Sequence, residues 1–335
     1  MGTLTEYVIP RICTYILTIF IGITVCFLIP RFTPLDPVLT VVNRLSQYGE
    51  YYDPQALQML IESMKELYGL KGSLLEQYVM FLKRLAVGDF GPSLAYFPEP
   101  AVSIFQKSLP WTISLLSIST LISWILGNFI GGVAGYFSER RWAKVLGVFA
   151  TIVYPMPYYI MALILVLLLA YIVPLFPSYG AFTILTTPSI TLEFVLDYLY
   201  HAFLPILSLV IVGYGWWFLS MRALVINTKS EDHVQFGKAM GISRRKLLYQ
   251  YVIRNSLLPQ VTGLSVSIGG IFNGAVITEA VFSYPGVGYI LLESILSGDF
   301  NLMMASVTYS IIAVATATLF MDLLYPFIDP RIRYK

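Results

Sequence analysis

Side chains that could carry acid–base, nucleophilic or metal chemistry are few in this sequence. The chain of 335 residues has two histidines, His201 and His233, and two cysteines, Cys13 and Cys26. It has no HExxH motif, no paired cysteines at metal-ligand spacing, no glycine-rich phosphate loop and no nucleophile elbow. We therefore expect hydrogen-bonding roles for both histidines, and no metal or cofactor bound by this chain itself.

Two acids are the only candidates for catalysis at a membrane surface. Glu279 and Glu293 stand near the outer ends of the last two apolar stretches, without a histidine as partner. General acid–base catalysis needs groups within hydrogen-bond reach of one reacting atom. The pattern therefore disfavours an enzyme.

The most concentrated basic run is a candidate for contact with another protein. Residues 237–259 read "GKAMGISRRKLLYQYVIRNSLLP" in a chain with only 12% charged residues. Before it, Thr228 and Glu231 have the spacing of a capping box, which predicts a short helix through Met240. Gly241 suits a left-handed stop, and Ser243 can cap a second helix.

That second helix is amphipathic and leads toward the membrane. Leu247, Leu248, Tyr251 and Val252 fall on one face, and Pro259 is expected to open the next span. A helix, a glycine hinge and a helix joined to a span would act as a lever. The alternative is a basic helix that lies on anionic lipid.

The composition is that of a membrane protein. Hydrophobic residues make up 57% of the chain and aromatic residues 15%. Six uncharged stretches are each long enough for the roughly 20 residues of a spanning helix: 12–30, 108–138, 145–192, 198–221, 255–278 and 300–321. We therefore predict an all-α polytopic protein with six transmembrane helices.

Prolines are expected to interrupt or bend some of these apolar stretches. Pro155 and Pro157 interrupt the third span, Pro205 lies near the start of the fourth, and "PLFPSYGAFTILTTPSI" within 145–192 is predicted to be a loop. The first stretch resembles a signal peptide only weakly, because Val25 before Cys26 is a poor cleavage site. We expect an uncleaved first helix, in which Cys13 and Cys26 lie too far apart to pair.

Charge predicts the orientation. Lysines and arginines gather at 140–144, 222–254 and 331–335, whereas 173–200 and 279–302 contain acids but no lysine or arginine. Basic loops stay on the cytoplasmic side. Both termini are therefore expected in the cytoplasm, and the net charge of +2 carries no sign of nucleic-acid binding.

The segment between the first two spans carries two helix patterns. In the first, Asp53 is a candidate N-cap, Leu57, Leu60, Ile61 and Met64 form an apolar stripe, and Gly69 is the stop. In the second, Ser73 and Glu76 form a capping box, Leu75, Tyr78, Val79 and Leu82 form the apolar face, and Gly88 closes the helix. We expect a small extracellular helical cap.

Small residues recur within two spans. Gly127, Gly131 and Gly135 are four residues apart in the second, and the fifth contains Gly263, Gly269, Gly270 and Gly274. Such residues permit close helix packing, or alternatively line a path or moving interface.

The predicted membrane core holds no charged residue, so an ion-coupled carrier lacks its usual midplane carboxylate. A channel or a secondary carrier is the alternative function.

Several motifs together resemble the permease subunits of ATP-binding cassette importers, in particular the dipeptide, oligopeptide and nickel family. The motifs are "LDP" at 35–37, "GDFGPS" at 88–93, "LP" at 109–110, "HAFLP" at 201–205, "TEAVFSYPGVG" at 278–288 and "DPRIRY" at 329–334. The family's cytoplasmic loop is matched by Gly237, Lys238, Ala239, Gly241, Ser243, Arg254, Asn255, Leu258 and Pro259. Where the family has a glutamate and two alanines, this chain has Gln235, Phe236 and Gly237.

This resemblance implies the partners and the site. It implies a cell-membrane permease paired with a second permease, two cytoplasmic ATPases that hold ATP and Mg²⁺, and an extracellular binding protein. Residues 232–241 would be the helix that the ATPase grips, with Val234 and Phe236 in a pocket of the ATPase and Lys238 at its acidic rim. The resemblance divides the chain into a first helix at 1–30, an extracellular segment at 31–107 and a permease core at 108–335 whose coupling loop spans about 222–259. The solute would be a peptide, an oligosaccharide or nickel.

Overall fold

The structure is a computed structural model that describes residues 8–32, 54–184, 186–271 and 275–328. The described chain is helical, apart from an isolated bridge between Pro92 and Pro100 and the connecting loops. The helices are α1 (Ile9–Phe32), α2 (Pro54–Leu67), α3 (Leu74–Ala86), α4 (Ala101–Tyr136), α5 (Arg141–Val153), α6 (Tyr158–Val166), α7 (Leu192–Lys229), α8 (Asp232–Ala239), α9 (Arg254–Gly270), α10 (Val276–Val281), α11 (Val287–Ser297) and α12 (Phe300–Ile328). Two π-helical segments, Leu167–Ile172 and Leu247–Ile253, extend α6 and precede α9.

The candidate membrane spans only partly match the predicted six. Within the described residues, α1, α4, α7 and α12 are each long and apolar enough to cross a membrane. The pair formed by α5 and α6 with its π-helical extension passes the same test together, with a bend of 101°. The predicted span at 255–278 corresponds to α9, which has 17 residues and falls short of a full crossing.

The bend in the third predicted span has a clear cause. Pro157 is the N-cap of α6, and Pro155 lies in the non-helical link after α5. Proline cannot donate a backbone hydrogen bond and its ring restricts the preceding residue, so the helix ends before the pair. The predicted loop is also confirmed, because the described residues between Ile172 and Leu192 are not helical. Pro205, by contrast, lies inside the unbroken α7.

The predicted close packing of the second span is confirmed in the contact between α4 and α7. A Cβ atom on Gly127 would lie 2.4 Å from the Cβ atom of Trp217, and one on Gly131 would lie 2.6 Å from the carbonyl oxygen of Phe218. A Cβ atom on Gly135 would lie 2.8 Å from the carbonyl oxygen of Arg222. Only glycine permits backbones this close. The glycine stripe therefore sets the separation of the two longest helices.

The first helix packs along the last. Arg11 forms an ion pair with Asp322 at 3.0 Å, and the hydroxyl groups of Tyr15 and Thr316 are 3.0 Å apart. These polar contacts fix the register of α1 on α12. Cys13 is exposed and Cys26 is buried on α1, and both are free thiols, as predicted.

The two helices between the first and second spans form as predicted, and the predicted apolar face of α3 is confirmed in part, because Tyr78 and Leu82 pack against the buried cluster. The capping box between Ser73 and Glu76 is present, and its bonds to the Glu76 carboxylate lower the pKa of that group. Phe81 is buried against Phe27 of α1, whereas the predicted face residues Leu75 and Val79 are exposed. The packed face of α3 therefore includes Tyr78, Phe81, Leu82 and Leu85, and the prediction missed Phe81 and Leu85. Gly69 and Gly88 have left-handed backbones with φ of 63° and 72°.

Several sequence predictions lie outside the described residues. These are the cap at Asp53, the "LDP" motif at 35–37, and the terminal "DPRIRY" motif with its basic residues. The side chains of Leu57 and Leu60 on α2 are likewise outside the described part of the chain.

Candidate coupling site

The basic loop forms a short helix between two long ones. Helix α7 ends at Lys229, the link Ser230–Glu231 turns the chain, and α8 runs over Asp232–Ala239. The predicted capping box of Thr228 and Glu231 is wrong, because α7 continues through Thr228. The hydroxyl of Thr228 instead accepts a hydrogen bond of 3.2 Å from Ser256. Glu231 occupies the N-cap position of α8 without a side-chain cap bond.

One face of α8 is buried in its own chain. Val234 is only 3% exposed and packs in a cluster with Met221, Val225 and Val252. A Cβ atom on Gly237 would lie 3.0 Å from the Cδ2 atom of Leu247. The expectation that Val234 fills a pocket of a partner protein is therefore wrong, since this side chain holds α8 on the ends of the spans.

The opposite face of α8 is open and apolar at two positions. Phe236 is 67% exposed and Met240 is 68% exposed. Residues four apart in a helix lie on the same side, so these side chains form one exposed apolar surface. Gln235, Lys238 and Ala239 are exposed around it, and the Gln235 amide donates to the Lys229 carbonyl at 2.9 Å. We call Gln235, Phe236, Lys238, Ala239 and Met240 the outer face of α8.

The turn after α8 has the predicted left-handed glycine. Gly241 has φ of 76°, and its N–H donates to the Lys238 carbonyl at 3.1 Å. The next N–H, of Ile242, donates to the Gly237 carbonyl at 3.1 Å. This pair of bonds satisfies carbonyls at the helix end. Ser243 is the N-cap of the next helix, as predicted, but its side chain makes no cap bond.

The loop is tied to the following helix by both apolar and polar contacts. Leu247, Leu248 and Val252 are buried, which confirms the predicted amphipathic face. Asn255 donates from Nδ2 to the carbonyl of Tyr251 at 2.8 Å and lies 3.2 Å from Nε2 of His233 on α8. These contacts join α8 to the start of α9.

The predicted junction residues lie within one continuous helical run. Arg244–Lys246, the π-helical segment Leu247–Ile253 and α9 follow one another without a break. Arg254, Asn255, Leu258 and Pro259 are therefore in the first turns of α9, and Arg254 is exposed. Pro259, which was expected to open the fifth span, lies inside α9, and the helical run that contains it begins after the Ser243 cap.

The loop carries uncompensated positive charge. Within the described residues, Lys238, Arg244, Arg245 and Lys246 are exposed and form no ion pair. Such a rim attracts an acidic surface or anionic lipid. Lys238 lies on the same helix as the exposed Phe236 and Met240, and the other three basic residues follow the Gly241 turn.

Sequence reasoning missed the burial of two acids within the described residues, Glu279 and Asp299. Glu279 has no exposed surface, and its carboxylate accepts a hydrogen bond of 2.8 Å from Thr112 on α4. Glu293 instead accepts a bond from the Tyr96 hydroxyl, so the two acids considered for catalysis do not share a site. The signal in the sequence was the acid seven residues before Gly286 in the "TEAVFSYPGVG" motif, followed by a helix start that needs an acceptor.

A cavity of about 700 Å³ lies beside the broken third span. Its described walls come from α4, the link between α5 and α6, α7 and α9, and none of the lining residues is charged. Hydroxyl and aromatic side chains face it, including Ser119, Ser123, Tyr154, Trp216 and Ser267. This chemistry suits an uncharged polar surface such as a peptide backbone.

Comparisons with known proteins identify the family of this chain. Residues 127–334 match the family described as the binding-protein-dependent transport system inner membrane component. The chain is 28% identical to the oligopeptide transport system permease protein AppB of Bacillus subtilis, over 99% of this chain and 100% of that protein. It is 28% identical to the oligopeptide transport system permease protein OppB of Haemophilus influenzae, over 98% and 99% of the two chains. It is 24% identical to the dipeptide transport system permease protein DppB of Lactococcus lactis, over 98% and 100%.

Proposed function

Since this chain belongs to the family of binding-protein-dependent transport system inner membrane components, the permeases of ATP-binding cassette importers, we propose that it imports peptides and that α8 is its coupling helix. It is a multi-pass permease of the cell membrane. The observation that carries the assignment of α8 is its outer face, where Phe236 and Met240 are exposed on a helix that Val234 anchors to the spans.

The mechanism assigned to α8 is mechanical. The ATPase subunits would hold ATP and Mg²⁺, and their closure would move the grooves that receive the outer face of α8. Aromatic and methionine side chains in a desolvated pocket carry much of the binding free energy at such interfaces. The buried Val234 and the contact between His233 and Asn255 pass the movement to α7 and α9. The permease then alternates between inward-open and outward-open states.

The proposed topology has six spans with both ends in the cytoplasm. α1, α4, α7 and α12 supply four spans, the bent pair α5–α6 supplies one, and the helical run through α9 supplies one. The basic residues at 140–144 and 222–254 support a cytoplasmic position for the coupling loop. Helices α2 and α3 and the α10–α11 segment then lie outside the cell.

The proposed solutes are peptides, as the names of the oligopeptide and dipeptide permeases among its relatives support. The uncharged lining of the 700 Å³ cavity is compatible with a peptide backbone, because it contains hydroxyl groups and aromatic rings. The proposed assembly pairs this chain with a second, different permease. Two ATPases and an extracellular binding protein complete it, and the binding protein does most of the selection.

Reconstitution of the complete assembly in lipid vesicles tests this function. We expect uptake of a radiolabelled tri- or tetrapeptide that requires both ATP and the binding protein. Uptake of a labelled oligosaccharide or of Ni²⁺ but not of peptides would overturn the substrate. Uptake that proceeds equally well without ATP would favour a channel or a secondary carrier instead.

A further inference from the structure

The segment at 276–297 folds back between α9 and α12 as a short helical hairpin. It consists of α10, a turn and α11. We call residues 276–297 the α10–α11 hairpin. Its turn residues Phe282 and Tyr284 are buried with Leu209 and Val212, which also line the 700 Å³ cavity. The hairpin therefore shares a hydrophobic cluster with two residues of the cavity wall, and Ala275, directly before it, lines the cavity itself.

The N-terminus of α11 is capped by a carboxylate from the preceding helix. The N–H groups of Gly288 and Tyr289 donate to Oε2 of Glu279 at 2.8 and 3.2 Å. The first N–H groups of a helix lack partners within it, and they carry partial positive charge. A buried carboxylate at this position is thus stabilised by the helix end in place of a cation.

A single side chain of α4 completes this cap. Thr112 donates from Oγ1 to Oε1 of Glu279 at 2.8 Å and accepts a bond of 2.7 Å from the N–H of Val287. Thr112 has no exposed surface. A Cβ atom on Gly286 would lie 2.5 Å from the same hydroxyl, so the turn can approach α4 only because residue 286 is glycine.

The bonds divide into two sets. The contacts of Glu279 with Gly288, Tyr289 and the N–H of Ala275 lie within the hairpin and the residue directly before it. The two bonds of Thr112 cross to another element. If the hairpin moves as a unit, its carboxylate keeps the stabilising helix end while only the Thr112 bonds break.

We propose that Thr112 and Glu279 form a latch that holds the α10–α11 hairpin closed over the outer end of the cavity. Opening the solute path to the outside breaks the two bonds of Thr112 and leaves those of Glu279 to α11 intact. This inference rests on the proposed function for the side of the membrane on which the hairpin lies. Two further contacts hold the same closed state: Gly180 donates its N–H to the Phe282 carbonyl at 2.8 Å, and Tyr284 donates to the Tyr198 hydroxyl at 3.2 Å.

Thiol labelling of the cavity wall tests the latch. Ser119 lines the cavity and is 3% exposed. In the complete assembly in vesicles, with Cys13 and Cys26 replaced by serine and alanine, Ser119→Cys reports access for a membrane-impermeant maleimide. Thr112→Val keeps the side-chain volume but removes both bonds. Without ATP, we expect external labelling to become about tenfold faster, which corresponds to about 1.4 kcal/mol. Thr112→Ser, which retains the hydroxyl, should label within about twofold of the parent.

The outcomes separate the latch from the transport function. Equal labelling rates for Thr112→Val and the parent would overturn the latch, as would faster labelling only from the cytoplasmic side. Peptide uptake measured in the same vesicles reports the proposed function independently of the labelling rate. Should Thr112→Val not reach the membrane, Thr112→Ala serves in its place. As a second variant, Glu279→Gln should speed labelling and also lower the melting temperature, because it weakens the hairpin itself.

Discussion

The side-chain amide of Asn255 at the start of α9 lies 3.2 Å from Nε2 of His233 on α8. On its other side, Nδ1 of His233 is 3.3 Å from the carboxylate of Glu231, the N-cap residue of α8. A neutral imidazole with its proton on Nδ1 can accept the Asn255 amide at Nε2, so this contact joins α8 to the start of α9.

Asn255→Leu should weaken coupling without detaching the ATPase. The leucine has a similar volume but cannot donate to His233, and a hydrogen bond of this kind contributes roughly 0.5–1.5 kcal/mol. We expect peptide uptake per ATP hydrolysed to fall by about two- to tenfold. Simultaneous measurement of ATP hydrolysis and peptide uptake in vesicles checks this. Loss of the ATPase from the purified assembly would contradict it, because the outer face of α8 is unchanged.

Phe236→Ala and Val234→Ala should separate docking from folding. Both shorten an apolar side chain on α8, but Phe236 is exposed and Val234 is buried. Phe236→Ala should leave the melting temperature of the permease unchanged and weaken ATPase binding by about 2 kcal/mol or more, as a central aromatic anchor does. Val234→Ala should lower the melting temperature, because it leaves a cavity next to Val225 and Val252. Co-purification with the ATPase and thermal unfolding in detergent distinguish the two effects. Equal ATPase recovery with both variants would rule out Phe236 as the anchor.

Gly241 allows a prediction about the backbone alone. Its φ is 76°, and nothing lies within 4 Å of the position of an added Cβ atom. Substitution there is therefore governed by conformation rather than by a clash. Gly241→Val should impair uptake, because a left-handed conformation costs an L-residue roughly 1–2 kcal/mol and a branched residue more. Gly241→Asn should retain most of the uptake, since asparagine tolerates this region. If Gly241→Val and Gly241→Asn reduce uptake equally, the loss is caused by the added side chain and not by the left-handed backbone.

Local signals in the sequence predicted the helix ends, because caps and turns depend on residues that are close together in the chain. Gly241, the cap position of Ser243 and the capping box of Ser73 with Glu76 were all predicted from residues within one or two helical turns. The apolar pattern likewise located the four continuous candidate spans in the described chain.

The contacts that escaped prediction join residues far apart in the chain. Thr112 and Glu279 are separated by 167 positions, and no local pattern relates the two. The burial of Val234 depends on the packing of α8 against Val225 and Val252. Thr228 has the spacing of a cap, but it continues α7 because Ser256 on α9 supplies its partner. In each case tertiary packing decided between alternatives that the local sequence permits.

Gly131 and Gly270 should respond oppositely to the same substitution. A Cβ atom on Gly131 would lie 2.6 Å from the Phe218 carbonyl oxygen, whereas one on Gly270 would meet nothing within 4 Å. Gly131→Ala should therefore push α4 from α7 and destabilise the permease by about 1–3 kcal/mol, as overpacking does. Gly270→Ala should leave stability unchanged or slightly improved, because alanine favours a helix. Thermal unfolding of the two purified variants in detergent compares them directly. Similar melting temperatures for the two variants would show that α4 and α7 can move apart without a loss of stability.

Asp299 should keep the segment directly before α4 in its folded position. Its carboxylate has no exposed surface and accepts bonds from the N–H groups of Leu94 and Ala95 at 2.7 and 3.0 Å and from the Ser93 hydroxyl. The other carboxylate oxygen of Asp299 accepts a hydrogen bond from the N–H of Leu302 at 3.0 Å. Asp299 therefore caps the start of α12 and also holds the end of the "GDFGPS" motif in place.

Asp299→Ala leaves three backbone donors without their acceptor, and each buried unpaired donor costs roughly 1–3 kcal/mol. Ser93→Ala removes only one of the donors and leaves the carboxylate with three partners, so it is the matched control. We expect limited proteolysis of the detergent-solubilised permease to cut between residues 88 and 100 much faster in Asp299→Ala than in Ser93→Ala. Since the hydrogen bonds of Ser93 and Asp299 within the described residues involve no residue of α8, ATPase co-purification should stay at the parent level in both variants. Equal cleavage rates would mean that the bridge between Pro92 and Pro100 holds the segment without Asp299.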